Sequence, residues 1–348
     1  ARCAWHWPPR TADCVVGRWL NDRMKAIIAT TAGGPEVLEY TDVPEPTPGP
    51  AEVVVKVTAA GVNFIDTYRR AGVYPMQFPH VVGSEGAGTV VEVGPEAAAK
   101  VGDRVAWNAG PGSYAEYVKV PVHELLPVPD GLDPRVAAAL PMQAMTAHYL
   151  CRSTYEIRQG SVALVHAAAG GVGGLLTQLI VHHGGRVIAT AGTAAKAELA
   201  RSYGASEVII YTELDDLTAE LPVKVRELAE GGVDVVYDGV GKDTFDASLA
   251  SLGTRGMLVL FGGSSGQVPP FDLQRLNSSG SLYVTRPTLK HYTLTRDETL
   301  WRANEVFGAA ASGQLRVPIG ASFPLADAAA AHRALEGRQT TGKVILIP

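Results

Sequence analysis

Over its first third, the chain alternates apolar and polar positions in short runs. These runs are EVVVKVTAAGV, HVVGSEGAGTVVEVG, GDRVAW and SYAEYVKV, with glycine, proline and aspartate between them. Because successive side chains of a strand face opposite sides of a sheet, the pattern predicts short strands in an antiparallel, barrel-like sheet. The proline-dense segment VPEPTPGPAE predicts a connection without secondary structure.

Beyond about residue 144, apolar runs alternate with segments of helical periodicity. Helical segments, the first from about Gly171 to His183, lie between the runs VALVH, RVIATA, EVII, VDVVYD and MLVLFG. Strands that alternate with helices predict βαβ units and a doubly wound parallel sheet. The last part of the chain follows a helix, strand, helix, strand pattern and is predicted to return to the first unit. The fold class is therefore α/β.

Composition narrows the classes of function. The chain has 348 residues, of which 46% are hydrophobic and 19% charged, which suits a soluble protein of two domains. No run approaches the roughly 20 apolar residues of a membrane span. A net charge of −5 makes nucleic acid an unexpected partner. Three cysteines without a C-x-x-C pair favour a reducing cytoplasm over a disulfide scaffold.

Residues 1–23 differ from the rest of the chain. They hold three tryptophans and two of the three cysteines and have neither strand nor helix periodicity. Met24 then opens MKAIIAT, which is typical of a natural start followed by a strand. We interpret residues 1–23 as a vector-derived or mis-assigned extension; the alternative is a genuine N-terminal arm.

The stretch HAAAGGVGGLL joins a predicted strand to a predicted helix. Gly170 and Gly173 occupy the second and third glycine positions of the dinucleotide-binding turn, and Ala168 occupies the first. In such a turn, free backbone N–H groups and the helix dipole bind pyrophosphate, and glycine permits the close approach. The strand–turn–helix context predicts a cofactor site, and the alternative is a turn that serves packing alone.

The end of the next strand indicates which cofactor binds. An NAD site usually places an acid about 20 residues on, where it accepts a hydrogen bond from the ribose. Here the segment is ATAGTAAK, with no acid before Glu198. We therefore predict NADPH, with Thr193 and Lys196 as contacts of the 2′-phosphate. The alternative makes Thr193 a helix N-cap and Lys196 an exposed helix residue.

Five motifs in order carry a resemblance to a known family. They are AAGVNFIDTYRRAGVYP, HAAAGGVGG, YDGVG, FGGSSG and SLYVTRP. With them, the chain from Met24 to Pro348 resembles the quinone oxidoreductase (zeta-crystallin-like), zinc-free branch of the medium-chain dehydrogenase/reductase superfamily. The resemblance implies a GroES-like β-barrel-type catalytic domain over residues 24–143 and 287–348. It also implies an inserted NADP-binding Rossmann domain over residues 144–286, and a homodimer.

The resemblance further implies roles for single residues. Asn63, Asp66 and Tyr68 match the active-site turn of the family. The residues that match its cofactor-binding positions are Phe64, Ile65, Gln143, Gly170, Gly171, Val172, Gly173, Gly192, Thr193, Lys196, Tyr211, Gly239, Phe261, Gly262, Gly263, Ser264, Ser265, Val284, Thr285, Arg286 and Arg338. Two of them depart from the pattern. Gly239 stands where relatives often have Ser or Asn, and Gln143 replaces a lysine of some relatives.

Each residue of the active-site turn also has a structural explanation. Asp66 could cap the following helix, Asn63 could take a left-handed backbone conformation, and Tyr68 could simply pack. Their clustering at positions 63, 66 and 68 favours function, because residues three apart share a helix face.

A metal is not expected. Zinc-containing relatives have a cysteine and a histidine where this chain has Asn63 and Ser84, and it lacks the cysteine quartet of a structural zinc lobe. Zinc prefers thiolate and imidazole ligands. His80, His123 and His166 have no second ligand at ligand spacing and are interpreted as hydrogen-bonded or turn residues.

The predicted reaction is metal-independent hydride transfer from NADPH to a quinone. Asn63 would donate to the substrate or the nicotinamide amide, Tyr68 would donate a proton, and Asp66 would orient one of them. One alternative is an NADPH-dependent enone or enoyl reductase, which needs an acid at the substrate α-carbon. Another is a nucleotide- or RNA-binding protein without turnover. The sequence leaves open which quinone is reduced, and whether one or two electrons are transferred.

Overall fold

The computed structural model describes residues 23–108 and 112–348. The predicted extension, Arg23 excepted, therefore lies outside the described residues. The strands, in chain order, are β1 (Arg23–Ala29), β2 (Leu38–Pro44), β3 (Glu52–Val62), β4 (His80–Val81), β5 (Glu85–Val93), β6 (Arg104–Asn108), β7 (Tyr117–Pro121), β8 (Leu126–Pro127), β9 (Val162–Val165), β10 (Arg186–Ala191), β11 (Glu207–Ile210), β12 (Val233–Asp238), β13 (Leu252–Leu260), β14 (Tyr283–Thr285), β15 (Ile319–Pro324) and β16 (Lys343–Ile347).

Ten α-helices and several short helical turns connect the described strands. The α-helices are α1 (Phe64–Arg70), α2 (Pro134–Ala139), α3 (Gln143–Tyr149), α4 (Gly171–His182), α5 (Ala194–Ser202), α6 (Leu217–Leu228), α7 (Phe245–Ala250), α8 (Gln274–Ser278), α9 (Arg296–Ala311) and α10 (Ala328–Glu336). A π-helical turn, Leu150–Thr154, continues α3. The 3₁₀ turns are Pro35–Val37, Val122–Glu124, Tyr211–Glu213, Leu289–Tyr292 and Leu325–Asp327.

The N-terminal strands build two sheets. β1 pairs antiparallel with β2 and β4, and a larger sheet has the order β15-β16-β3-β5-β6-β8, with β7 also paired to β3. The two last strands of the chain thus join β3, through the antiparallel pair β16–β3. The C-terminal segment therefore belongs to the larger of the two sheets.

The middle of the chain forms a six-stranded sheet of order β11-β10-β9-β12-β13-β14. All its neighbouring strands are parallel. The order reverses next to β9, and in a doubly wound sheet a ligand binds at the carboxyl ends of the strands at such a switch point. This sheet and the GroES-like barrel sheet confirm the predicted fold class.

A continuous apolar core joins the two units. It contains small residues of the barrel sheet such as Ala59 and Ala106, strand residues of the parallel sheet such as Val165, and Phe307 of α9. Because buried side chains of both units touch in one core, the elements that carry the site are held against each other.

One local difference from the sequence pattern concerns the end of a strand. The segment VPEPTPGPAE is not wholly a connection, because β2 extends to Pro44 and pairs Val43 with Met24 and Pro44 with Arg23.

Among the described residues, no helix combines the length and the apolar character needed to cross a membrane.

Candidate active site

The active-site turn lies where β3 ends and α1 begins. Asn63 is the N-cap of α1, with φ −134° and ψ 157°, so its backbone is extended and the left-handed interpretation is wrong. The backbone N–H of Asn63 donates to Oδ2 of Asp66 at 3.0 Å, which fixes the start of the helix. Tyr68 lies on the same helix, and Phe64 and Ile65 form its half-buried first turn.

The Asn63 side chain is held by three polar side chains. Its Nδ2 donates to Oε1 of Glu85 at 2.6 Å, and its Oδ1 accepts from Nζ of Lys343 at 2.8 Å and from Nε2 of Gln143 at 3.4 Å. Lys343 and Glu85 form an ion pair, and their side chains are 1% and 0% exposed. An amide nitrogen carries two hydrogens, so one remains for a ligand.

The sequence reasoning missed Glu85 and Lys343. Each is a charged residue at the first position of a strand whose other residues are largely buried. A charge in such a place is expected to be paired, because an isolated buried ion is strongly disfavoured. A charge at a buried strand position therefore indicates a paired residue, but it does not indicate which residue is the partner.

Asp66 lies beneath the turn in a second buried network. Its Oδ1 accepts from the hydroxyl of Ser84 at 2.5 Å, and its Oδ2 accepts from the hydroxyl of Tyr114 at 3.2 Å. Among the described residues, no hydrogen bond joins the Asp66 carboxylate to the Tyr68 hydroxyl. Burial raises the pKa of Asp66 to about 6, against the lowering effect of its hydrogen bonds with Ser84 and the Asn63 backbone.

The raised pKa of Asp66 gives a prediction for stability against pH. The folded state binds a proton more tightly than the unfolded state, so this contribution is fully present below about pH 4 and is lost as the pH rises through about 6. We expect wild type to lose on the order of 3 kcal/mol relative to Asp66→Asn across that window. Urea unfolding of both proteins from pH 4 to 7 measures the difference, and parallel curves would contradict it.

The surroundings of Tyr68 include aromatic rings that are close in sequence and segments that are distant in sequence. Its ring lies 6.1 Å from the rings of both Phe64 and Tyr74, measured between centroids. Burial and Tyr74 raise the pKa of the Tyr68 hydroxyl, while the Arg286 guanidinium and the Gly263 backbone lower it less. The phenol therefore stays protonated at neutral pH. Gly263 and Arg286, from the segments after β13 and β14, thus belong to the surroundings of the Tyr68 hydroxyl.

The glycine loop has the geometry of an anion cradle. Gly170 is the N-cap of α4, and its backbone conformation is extended. A Cβ at Gly173 would lie 2.4 Å from the carbonyl oxygen of Ala167, and one at Gly171 would lie 2.1 Å from the Gln143 side chain. Val172 is half-buried on the same turn. The N-terminus of α4 therefore has no room for side chains at Gly171 and Gly173, and a helix N-terminus favours an anion.

A second group of predicted residues lies at the end of β10. Thr193 caps α5 by accepting from the Lys196 N–H at 3.2 Å, so the capping interpretation is confirmed. Nζ of Lys196 donates to the carbonyl oxygen of Arg338 at 3.0 Å. A Cβ at Gly192 would lie 2.7 Å from the Tyr211 hydroxyl. The fold therefore brings these residues together, with Arg338 from the C-terminal part of the chain beside Lys196.

The remaining predicted residues lie along β12, β13 and β14. A Cβ at Gly239 would lie 2.8 Å from the Phe261 ring, and one at Gly262 would lie 2.5 Å from the Gly239 carbonyl oxygen. The segment after β13 is held by hydrogen bonds from the backbone of Ser264 and of Ser265 to the loop after β12. Val284 and Thr285 belong to the edge strand β14, directly before Arg286.

Family models and known proteins both match this chain. A family model described as alcohol dehydrogenase GroES-like domain matches residues 49–130, and one described as zinc-binding dehydrogenase matches residues 203–346. A quinone oxidoreductase of Pseudomonas aeruginosa is 46% identical over 328 residues, which are 93% of this chain and 99% of that protein. A 2-haloacrylate reductase of a Burkholderia species is 40% identical over 333 residues, covering 93% and 98%.

Solved structures extend the comparison. A mycobacterial protein solved in complex with NADPH is similar with a TM-score of 0.90 and 50% sequence identity, over 93% of this chain and all of that one. The fold and the site define an oxidoreductase with a nucleotide-binding Rossmann sheet. With these relatives, the chain belongs to the quinone oxidoreductase family of the medium-chain dehydrogenase/reductase superfamily.

The description of one family model includes zinc, which the residues at the active-site turn do not fit. Asn63 and Ser84 offer neither thiolate nor imidazole, the ligands that zinc prefers there. Both are also engaged within the protein: Asn63 with Glu85 and Lys343, and the Ser84 hydroxyl with Asp66 and the Arg69 guanidinium. Buried His166 likewise contacts the hydroxyls of Thr190 and Ser248, at 3.0 and 2.9 Å.

Proposed function

We propose that the protein reduces quinones with NADPH, without a metal. The observation that carries the proposal is that the active-site turn and the glycine loop both contact Gln143. Gln143 donates to Oδ1 of Asn63 and also stands over Gly171, so one side chain spans the distance between the two. A cofactor held at the loop would therefore reach the turn.

The residues present fit NADPH along its length. The backbone N–H groups of Gly171–Gly173, in the first turn of α4, would bind the pyrophosphate, at a turn with no room for a Cβ at Gly171 or Gly173. Lys196, Thr193 and Tyr211 would hold the 2′-phosphate. Glu198, the first acidic residue after β10, forms an ion pair with Arg201 at 2.5 Å. When bound, NADPH would supply a hydride to the acceptor.

Lys196→Ala tests the choice of cofactor. A charged hydrogen bond is worth about 1.5–3 kcal/mol, so NADPH should bind roughly 10- to 100-fold more weakly. NADH lacks the 2′-phosphate and should be almost unaffected. Titration of cofactor fluorescence with both nucleotides measures the two constants. Equal losses for NADPH and NADH would contradict a phosphate contact of Lys196.

At the turn, the chain itself would supply hydrogen bonds and a proton. The free hydrogen of the Asn63 amide would donate to the acceptor's carbonyl oxygen, where negative charge develops as the hydride arrives. The Tyr68 phenol stays protonated and would give the proton that completes the hydroquinone. Asp66 would act through the helix start, because its hydrogen bonds hold Asn63, Ser84 and Tyr114.

An enone or 2-haloacrylate reductase is the second candidate, supported by the Burkholderia relative. That reaction needs a proton at the α-carbon, whereas the reduced oxygen of a quinone is already a stable phenolate. Initial rates of NADPH oxidation with a 1,4-naphthoquinone, a small enone and 2-chloroacrylate separate the two. We expect the quinone to have the highest kcat/KM. Turnover only with 2-chloroacrylate would identify the protein as a haloacrylate reductase instead. NADPH binding without turnover of any acceptor would favour a binding protein.

We further propose a cytoplasmic homodimer with the domain division 24–143 and 287–348 against 144–286. β14 is the edge of the parallel sheet, and it exposes Tyr283 and Val284. An exposed edge strand with apolar side chains suits pairing with a second copy. The free, buried thiol of Cys151 suits a reducing compartment.

A further inference from the structure

We infer that Lys343 is a positioning residue for the reaction, acting through the Asn63 amide; this inference rests on the proposed function. An amide can bind a ligand in two orientations that differ by a half-turn and exchange the donor and the acceptor. In this protein the orientation is set by charge. The ammonium of Lys343 faces Oδ1 at 2.8 Å, and the carboxylate of Glu85 faces Nδ2 at 2.6 Å.

Turning the Asn63 amide over would place two unfavourable contacts in a buried site. Its NH₂ group would meet the Lys343 ammonium and its carbonyl oxygen would meet the Glu85 carboxylate. The three residues are buried, with 5%, 1% and 0% of Asn63, Lys343 and Glu85 exposed. Like-polarity contacts are costly in such surroundings, because little solvent screens them. The pair therefore keeps the donor side of Asn63 available to the acceptor.

The ion pair is itself held in place by backbone. The N–H of Met142 donates to Oε2 of Glu85 at 2.6 Å. A Cβ at Gly61 would lie 2.3 Å from Oε1 of Glu85, so the carboxylate occupies the space that a side chain there would take. Met142 thus holds Oε2 of Glu85 and Lys343 pairs with Oε1, so the carboxylate is restrained from following a displaced amide.

Lys343 also connects the turn to the glycine loop. Its neighbour Gly342 forms a bridge with Gly170, and the Gly342 N–H donates to the Ala169 carbonyl oxygen at 3.4 Å. The segment that carries the ammonium thus lies against the loop that would carry the pyrophosphate. Lys343 therefore links the orientation of Asn63 to the loop that would hold the cofactor.

A double-mutant cycle on kcat tests the inference. Lys343→Met alone is expected to lower kcat roughly 10- to 100-fold, the usual cost of a misplaced catalytic group, while KM for NADPH stays near wild type. In an Asn63→Ala background the same substitution should change kcat by less than about threefold, because the group on which it acts is absent. Multiplied losses in the cycle would overturn the inference. Lys224→Met on the surface of α6 is the control.

Folding is assessed separately, because Lys343→Met leaves the Glu85 carboxylate buried without its cation. The charge-neutral variant Lys343→Met/Glu85→Gln should regain most of the lost Tm. The inference expects its kcat to stay low, whereas recovery of kcat with Tm would show that the pair only supports folding. The cycle is repeated in this background if the single variant does not fold.

The proposed function and this inference can fail independently. Wild-type protein without quinone-dependent NADPH oxidation contradicts the function. The cycle can then be measured with whichever of the enone and 2-chloroacrylate wild type reduces. The Tm series needs no acceptor at all.

Discussion

Gly173→Ala is expected to remove most of the NADPH affinity and to leave the fold intact. The added methyl group would lie 2.4 Å from the Ala167 carbonyl oxygen and 3.0 Å from the Ala168 Cα. Both are backbone atoms, so the loop itself must move. Overpacking of this kind costs about 1–3 kcal/mol, which corresponds to a roughly 5- to 150-fold weaker dissociation constant.

Isothermal titration with NADPH measures this loss, and the chain offers a matched control. Gly308 lies within α9, and a Cβ there would meet no atom within 4 Å. Gly308→Ala should bind NADPH like wild type and be slightly more stable, because alanine favours a helix. Unchanged affinity in Gly173→Ala would mean that the pyrophosphate does not lie on this loop.

Asn63→Ala is expected to have the largest effect on turnover. It removes the amide donor that the turn would offer to a developing oxyanion, and such a loss typically costs about 10²- to 10³-fold in kcat. The NADPH dissociation constant should stay near wild type, because the residue lies at the acceptor end of the site. The substitution also leaves Lys343 and Glu85 paired with each other.

Steady-state kinetics with a quinone give this result as a fall in kcat without a matching rise in the NADPH KM. Asn277→Ala, at an exposed position of α8, is the control for the chemistry of the substitution. A variant that lacks Asn63 and keeps wild-type kcat would exclude the residue from catalysis.

Most of the fold was predictable because periodicity and glycine report local geometry. The strands RVIATA, EVII and VDVVYD have the predicted ends, and α4 begins at Gly171 as expected. The pattern failed where a single polar residue decides an element's start. Asp216 caps α6 by accepting from the N–H groups of Thr218 and Ala219, so the helix begins at Leu217, a start that hydrophobic periodicity does not mark.

The site was predictable only to the extent that motifs are continuous in sequence. Asn63, Gly173 and Lys196 stand in recognisable turns, and the fold assembles each turn as its sequence indicates. The network of Asn63, Glu85 and Lys343 joins residues up to 280 positions apart. Such contacts depend on how β16 pairs with β3, and no local pattern contains that register.

The central claim is that this site transfers hydride from NADPH to a quinone without a metal. The most direct measurement is the kcat/KM of chelator-dialysed wild type for NADPH and for NADH, with 1,4-naphthoquinone as acceptor. We expect rapid quinone-dependent oxidation that survives dialysis, with NADPH preferred over NADH by roughly tenfold or more, the value of one charged hydrogen bond. Activity that disappears on dialysis and returns with zinc, or equal use of the two nucleotides, would contradict it.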